Sequence, residues 1–92
     1  QAFHTWDDIM AIGVVKAIID KGYRIPQDVS VIGYNDILIA RYFNPPLTTI
    51  RQQLILMGET AVEVLIRKIA EKEQREARHI ELSLELIIRS TA

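Results

Sequence analysis

Hydrophobic positions fall into three blocks divided by turn-forming residues, with no internal repeat and no low-complexity tract. In the first, at about 7–21, Ile9, Met10, Ile12, Val14, Val15, Ala17, Ile18 and Ile19 leave few polar positions. A stretch so nearly apolar all round predicts a helix buried on more than one side, against a sheet and against a partner. Thr5 or Asp7 can accept from the free backbone N–H groups at its start, and Gly22 stands where a left-handed residue would stop it. Pro26 and Asp28 then make a turn. The β-branched run at 29–34, closed by Gly33 and Tyr34, reads as a short buried strand. Helix followed closely by buried strand is half of a βαβ unit, which means a parallel sheet. Phe3, His4 and Thr5 would end the strand before the helix, whose beginning would lie upstream of Gln1.

Positions 35–46, with the pair Pro45-Pro46, predict a loop holding at most one helical turn, and 47–50 predicts a strand. A second helix is expected from Leu54 to about Glu73, with Met57, Ala61, Val64, Leu65 and Ile69 along one face. Glu63–Arg67 and Glu71–Arg75 would support it as i,i+4 pairs in the favourable order. Ile80, Leu82, Leu84 and Leu86 alternate with His79, Glu81, Ser83 and Glu85, a period of two that predicts a strand or hairpin with one wet face. The fold class is α/β, a parallel sheet with flanking helices.

Ninety-two residues make at most one domain, and a chain this short buries only about 60–65% of its unfolded surface. An apolar share of 49% and a charged share of 25% describe a globular chain rather than a disordered one. Eleven Lys and Arg against twelve Asp and Glu give a net charge of −1, and no basic stripe marks a nucleic-acid interface. The lack of cysteine excludes disulfides and thiolate metal sites and fits a reducing cytoplasm. The longest run without a polar side chain, at 9–15, is too short to span a bilayer. Gln1 in place of an initiator Met, without a signal-peptide pattern, suggests a piece of a longer protein.

Candidate chemistry gathers where the strands end, the edge at which open α/β sheets bind ligands. Asp7 and Asp8 stand there together. Helix capping is the plainer reading of Asp8, while for Asp7 capping and ligand contact weigh equally. Trp6 could stack on a sugar or base, or cover the core. His4 lacks a second histidine to build a metal site and reads as an ordinary strand-end residue. Gly33 permits close backbone approach, and Asn35 offers donor and acceptors suited to hydroxyl-rich ligands. Asn35 and Asp36 could equally form a plain turn. Gln52, after the third strand, could converge on the same point. No nucleophile elbow or phosphate-cradling loop is present, so no enzyme, metal or cofactor is expected.

Three motifs in order carry a resemblance: Asp7 to Gly13, then Ile25 to Asp36, then Pro45-Pro46-Leu47-Thr48-Thr49-Ile50-Arg51-Gln52. With Gly58, the Leu65 helix and the closing 86–91, they resemble the lactose/galactose repressor family of bacterial transcription regulators. The resemblance implies a periplasmic-binding-protein-like (type I) sensor, residues 1–92 being its C-terminal portion, with the helix-turn-helix headpiece outside this chain. It implies a cytoplasmic homodimer that senses a small sugar-like effector, touching operator DNA only through that headpiece and touching no membrane. It places Asp7, Asn35 and Gln52 at ligand-facing positions and Leu54 at a nearby wall of the pocket. Ile12 and Phe43 fall at positions of subunit contact. The family usually has Asn where Asp7 stands and Asp where Asn35 stands, so charge and amide are exchanged across the pocket. An exported sugar-binding protein would share the fold, and an enzyme using Asp7 and Asp8 is a third reading.

Overall fold

β1 (Ala2–His4) and β2 (Ser30–Ile32) run parallel, with Phe3 opposite Val31, and α1 (Asp8–Asp20) connects them. This is the βαβ half that the pattern predicts. The computed structural model describes residues 1–71 and 79–92. After β2 the chain makes one short helix, α2 (Leu38–Tyr42), and enters β3 (Thr49–Arg51). A parallel bridge between Ile32 and Thr48 links β2 to the approach of β3, and β4 (Glu85–Ile87) pairs antiparallel to β3 with Leu86 opposite Ile50.

The core of this first unit, Gln1–Gln52 with Leu84–Ala92, lies between α1 and β2. Ala11, Val15 and Ile18 recur at helical spacing and meet Val29, Val31, Ala40 and Leu47, all buried. Val14, Ile25, Ile37 and Phe43 pack partly against the same cluster. Only one stripe of α1 is buried within the chain, because Ile9, Met10 and Ile19 stay exposed. The carboxyl-terminal tail completes the layer. Thr91 is fully buried, its hydroxyl donates to Val31 O at 2.7 Å, and it accepts from Thr48 N at 2.9 Å. A side-chain hydroxyl thus satisfies backbone groups that a further ladder rung would otherwise take.

The second unit, Gln53–Ser83, holds α3 (Leu54–Ala70). Met57, Ala61, Val64 and Leu65 form one wall of a hollow of about 540 Å³ whose other wall is Ile80 and Leu82. The expected end of this helix at Glu73 and the pair Glu71–Arg75 fall outside the described residues. The alternating segment at 80–86 is not one continuous strand: residues 80–84 are irregular and only Glu85–Ile87 forms a ladder. Alternation gives two faces to an extended chain, but a strand also needs a partner, and only 85–87 has one in β3. No helix among the described residues is long and apolar enough to cross a membrane.

Candidate ligand-binding cleft

The carboxyl ends of β1, β2 and β3 come together on one edge. Thr5 N donates to Ile32 O at 2.9 Å and Asp8 N to Tyr34 O at 3.0 Å, so the first two strand ends leave the sheet side by side. The result is a hollow of about 550 Å³ lined by His4, Thr5, Trp6, Asp7, Tyr34, Asn35 and Gln52. That volume falls within the range of small-molecule sites. Four expected ligand residues, Trp6, Asp7, Asn35 and Gln52, are brought together there. Leu54 belongs to the first turn of α3, in the second unit. Sequence reasoning did not assign His4, Thr5 and Tyr34, although the strand-edge rule that selected Asp7 applies to them too. The rings of His4 and Tyr34 are tilted at 45° with centroids 6.3 Å apart.

Asp7 caps α1 and also lines the hollow. Its backbone is extended, at φ −153° and ψ 174°, and its Oδ1 accepts from Met10 N at 2.7 Å as the helix cap. The other carboxylate oxygen remains for the hollow. Asp8 is therefore not the cap. One residue further on, the side chain turns inward and is fully buried. Its Oδ2 accepts from Ile37 N at 2.8 Å and its Oδ1 from the Thr49 hydroxyl at 2.6 Å, tying α1 to the loop before α2 and to β3. Gly33 makes room for it, since a Cβ there would overlap the Asp8 carboxylate and lie 2.9 Å from Leu47 Cδ2.

Asn35 and Asp36 both have positive φ, 106° and 53°. Both residues therefore take part in the turn, and their side chains go to different partners. Gln52 Nε2 donates to Asn35 Oδ1, which ties the two amides together at the hollow. Asp36 turns away to a pair of arginines, its side chain 8% exposed: Arg51 Nη2 lies 2.8 Å from Oδ2 and Arg89 Nη2 2.8 Å from Oδ1. Burial works to raise the Asp36 carboxyl, but hydrogen bonds and charge from Arg89 and Arg51 outweigh it and hold the group below the usual carboxylate range. Nothing in sequence spacing joins Asp36 to Arg89, so this network was not foreseen.

Trp6 is 84% exposed and covers no core, which leaves its ring free at the cleft. Ile12 is half-buried on α1, and Phe43 is half-buried against the chain's own core. Among the described residues no group of three or more His, Cys, Asp or Glu is placed to hold a metal ion.

All 92 residues match the family described as periplasmic binding protein-like domain. The chain belongs to the periplasmic binding protein-like domain family. Within that family its likenesses are to regulators of the lactose/galactose repressor type. It is 47% identical over 85 residues to the HTH-type transcriptional repressor PurR of Mannheimia succiniciproducens, covering 92% of this chain and 25% of that protein. The PurR repressor of Vibrio atlanticus is 43% identical over 90 residues, 98% of this chain and 27% of the relative. The chain thus spans about a quarter of the length of the curated relatives it matches. Among solved structures, the transcriptional regulator CelR in complex with cellobiose superposes with a TM-score of 0.90 at 28% identity, over 99% of this chain and 28% of that one. The lac repressor dimer bound to operator and an anti-inducer superposes with a TM-score of 0.85 at 34% identity, over 98% of this chain and 31% of that one. The resemblance read from the three motifs is borne out. These relatives are transcriptional repressors, not enzymes or transport proteins.

Proposed function

We propose that this chain supplies one wall of the effector site, and part of the dimer contact, of a cytoplasmic transcriptional repressor that senses a sugar or sugar derivative. Residues 1–92 would be the C-terminal portion of its sensor. One observation carries the reading: an acceptor on Asp7, a donor on Asn35 and an acceptor on Gln52 converge beside an exposed Trp6 in a hollow of small-molecule size. Aromatic faces with bifunctional polar groups suit a ring that carries hydroxyls, each of which both donates and accepts. The CelR relative, solved with cellobiose, supports the ligand class. The face of α1 left open at Ile9 and Met10 supports a homodimer formed near Ile12 and Phe43.

Function then follows from a population shift. A ligand held between this wall and a facing one favours the closed arrangement, and it can act on DNA only if it binds one arrangement more tightly than the other. The headpiece that meets operator DNA lies outside this chain. Titration calorimetry of the intact protein with cellobiose and with ribose tests the site. Asn35→Ala should weaken whichever sugar binds by about tenfold, the effect of one well-placed hydrogen bond. Unchanged affinity in that variant removes Asn35 from the site and the proposal with it.

A further inference from the structure

We infer that Asp36, clamped by Arg51 and Arg89, is a positioning residue that sets the ligand-binding amides of Asn35 and Gln52. The inference rests on the effector-site reading above and names the part of the chain that holds that site in shape. Asp36 directly follows Asn35, and Arg51 directly precedes Gln52. The ion pair and the amide pair are therefore adjacent cross-links between the same two segments. A third link, Asn35 N to Ile50 O at 2.8 Å, and a longer one from Asp36 N to Thr49 Oγ1 at 3.3 Å complete the set.

The backbone shows why such a clamp is needed. Asn35 at φ 106° and Asp36 at φ 53° both lie in a region that side chains rarely adopt. Conformations of that kind persist only where the surroundings over-determine them. The strongest constraint at hand is the Asp36 carboxylate, since charge-assisted hydrogen bonds to arginine are about twice as strong as neutral ones. Arg51 Nε and Nη2 both reach Asp36 Oδ2 at 2.8 Å. Arg89 spans Asp36 Oδ1 and Leu47 O, the latter at 2.9 Å, and so fastens the tail to the same turn. No atom of Asp36, Arg51 or Arg89 lines the hollow. Their effect on a ligand must pass through Asn35 and Gln52.

Asp36→Asn keeps the shape and removes the charge, and it is to be made in the intact protein alone and together with Asn35→Ala. Affinity for cellobiose and ribose is read by calorimetry, and a crystal structure of each variant reads the turn. Asp36→Asn alone should weaken binding by about tenfold, whereas in the Asn35→Ala background the added loss should be under about twofold, the signature of two residues acting as one. The same loss in both backgrounds, or no loss in either, overturns the positioning role. If neither sugar binds the unaltered protein, the effector-site reading fails first. The crystal structure then decides the inference alone: an Asp36→Asn turn that keeps positive φ at Asn35 and its bond to Gln52 overturns it. Should Asp36→Asn fail to fold, Arg51→Met, which spares the Arg89 pair, serves under the same criteria.

Discussion

The buried Asp8 carboxylate offers the sharpest test of how this edge is held together. Two donors end on it, Ile37 N and the Thr49 hydroxyl, and Thr49 Oγ1 in turn accepts from Asp36 N. Asp8→Ala leaves both donors buried without an acceptor. At about 1–3 kcal/mol for each unsatisfied group, the expected loss is about 4 kcal/mol. Asp8→Asn removes less. If its amide oxygen faces Ile37 N, its NH2 meets Thr49 Oγ1 and the threonine O–H is left without an acceptor; turned the other way, donor opposes donor at Ile37. Either orientation strands one donor, so Asn should cost about half of what Ala costs. Urea unfolding of the intact protein, followed by circular dichroism at one fixed protomer concentration, measures both. A loss below about 1 kcal/mol for Asp8→Ala, or equal losses for the two variants, would refute the account of Asp8 as the acceptor for two buried donors.

Two further outcomes follow from the same neighbourhood. Gly33→Ala must displace the Asp8 carboxylate or Leu47, and the former is fixed by its hydrogen bonds, so a loss of about 2–3 kcal/mol in urea is expected. The folded value of the Asp36 carboxyl is depressed below its unfolded one, so its contribution to stability is full above about pH 4 and vanishes as pH falls through the folded value. Urea midpoints taken between about pH 5 and pH 2 should therefore fall more steeply in the unaltered protein than in Asp36→Asn. Parallel slopes would show that the arginine pair does not hold that proton off.

The sequence carried the elements better than their partners. The stripe Ala11, Val15, Ile18 and the run from Val29 to Ile32 are local patterns, and local patterns gave α1, β2 and their parallel arrangement with β1. The cleft was legible for the same reason, because one rule about strand ends selects Trp6, Asp7, Asn35 and Gln52 together. What escaped depends on contacts between distant positions. Asp8 meets Thr49 across 41 residues and Asp36 meets Arg89 across 53, and no periodicity registers either pair. The assignment of Asp8 as the cap failed by a single position, since α1 begins at Asp8 itself and the cap must be the extended residue before it. The alternating stretch at 80–86 failed in another way, because extension is local but pairing is not.

These contacts also decide what charge the cleft presents. Asp8 is spent on the Ile37 N–H and the Thr49 hydroxyl, and Asp36 is spent on Arg51 and Arg89, which also reach Glu85 and Leu47 O. Among the described residues, Asp7 is the one acid or arginine that lines the hollow, with one oxygen already capping α1. An aspartate at position 35 would have set a second carboxylate beside Asp36 and competed with it for Arg51. A neutral Asn35 leaves that clamp undisturbed and accepts from Gln52 instead. On the proposed effector-site reading, a ligand would meet acceptors on Asp7 and Gln52 and a donor on Asn35, a pattern that neighbouring hydroxyls satisfy and a phosphate ester, all acceptors and negative, does not.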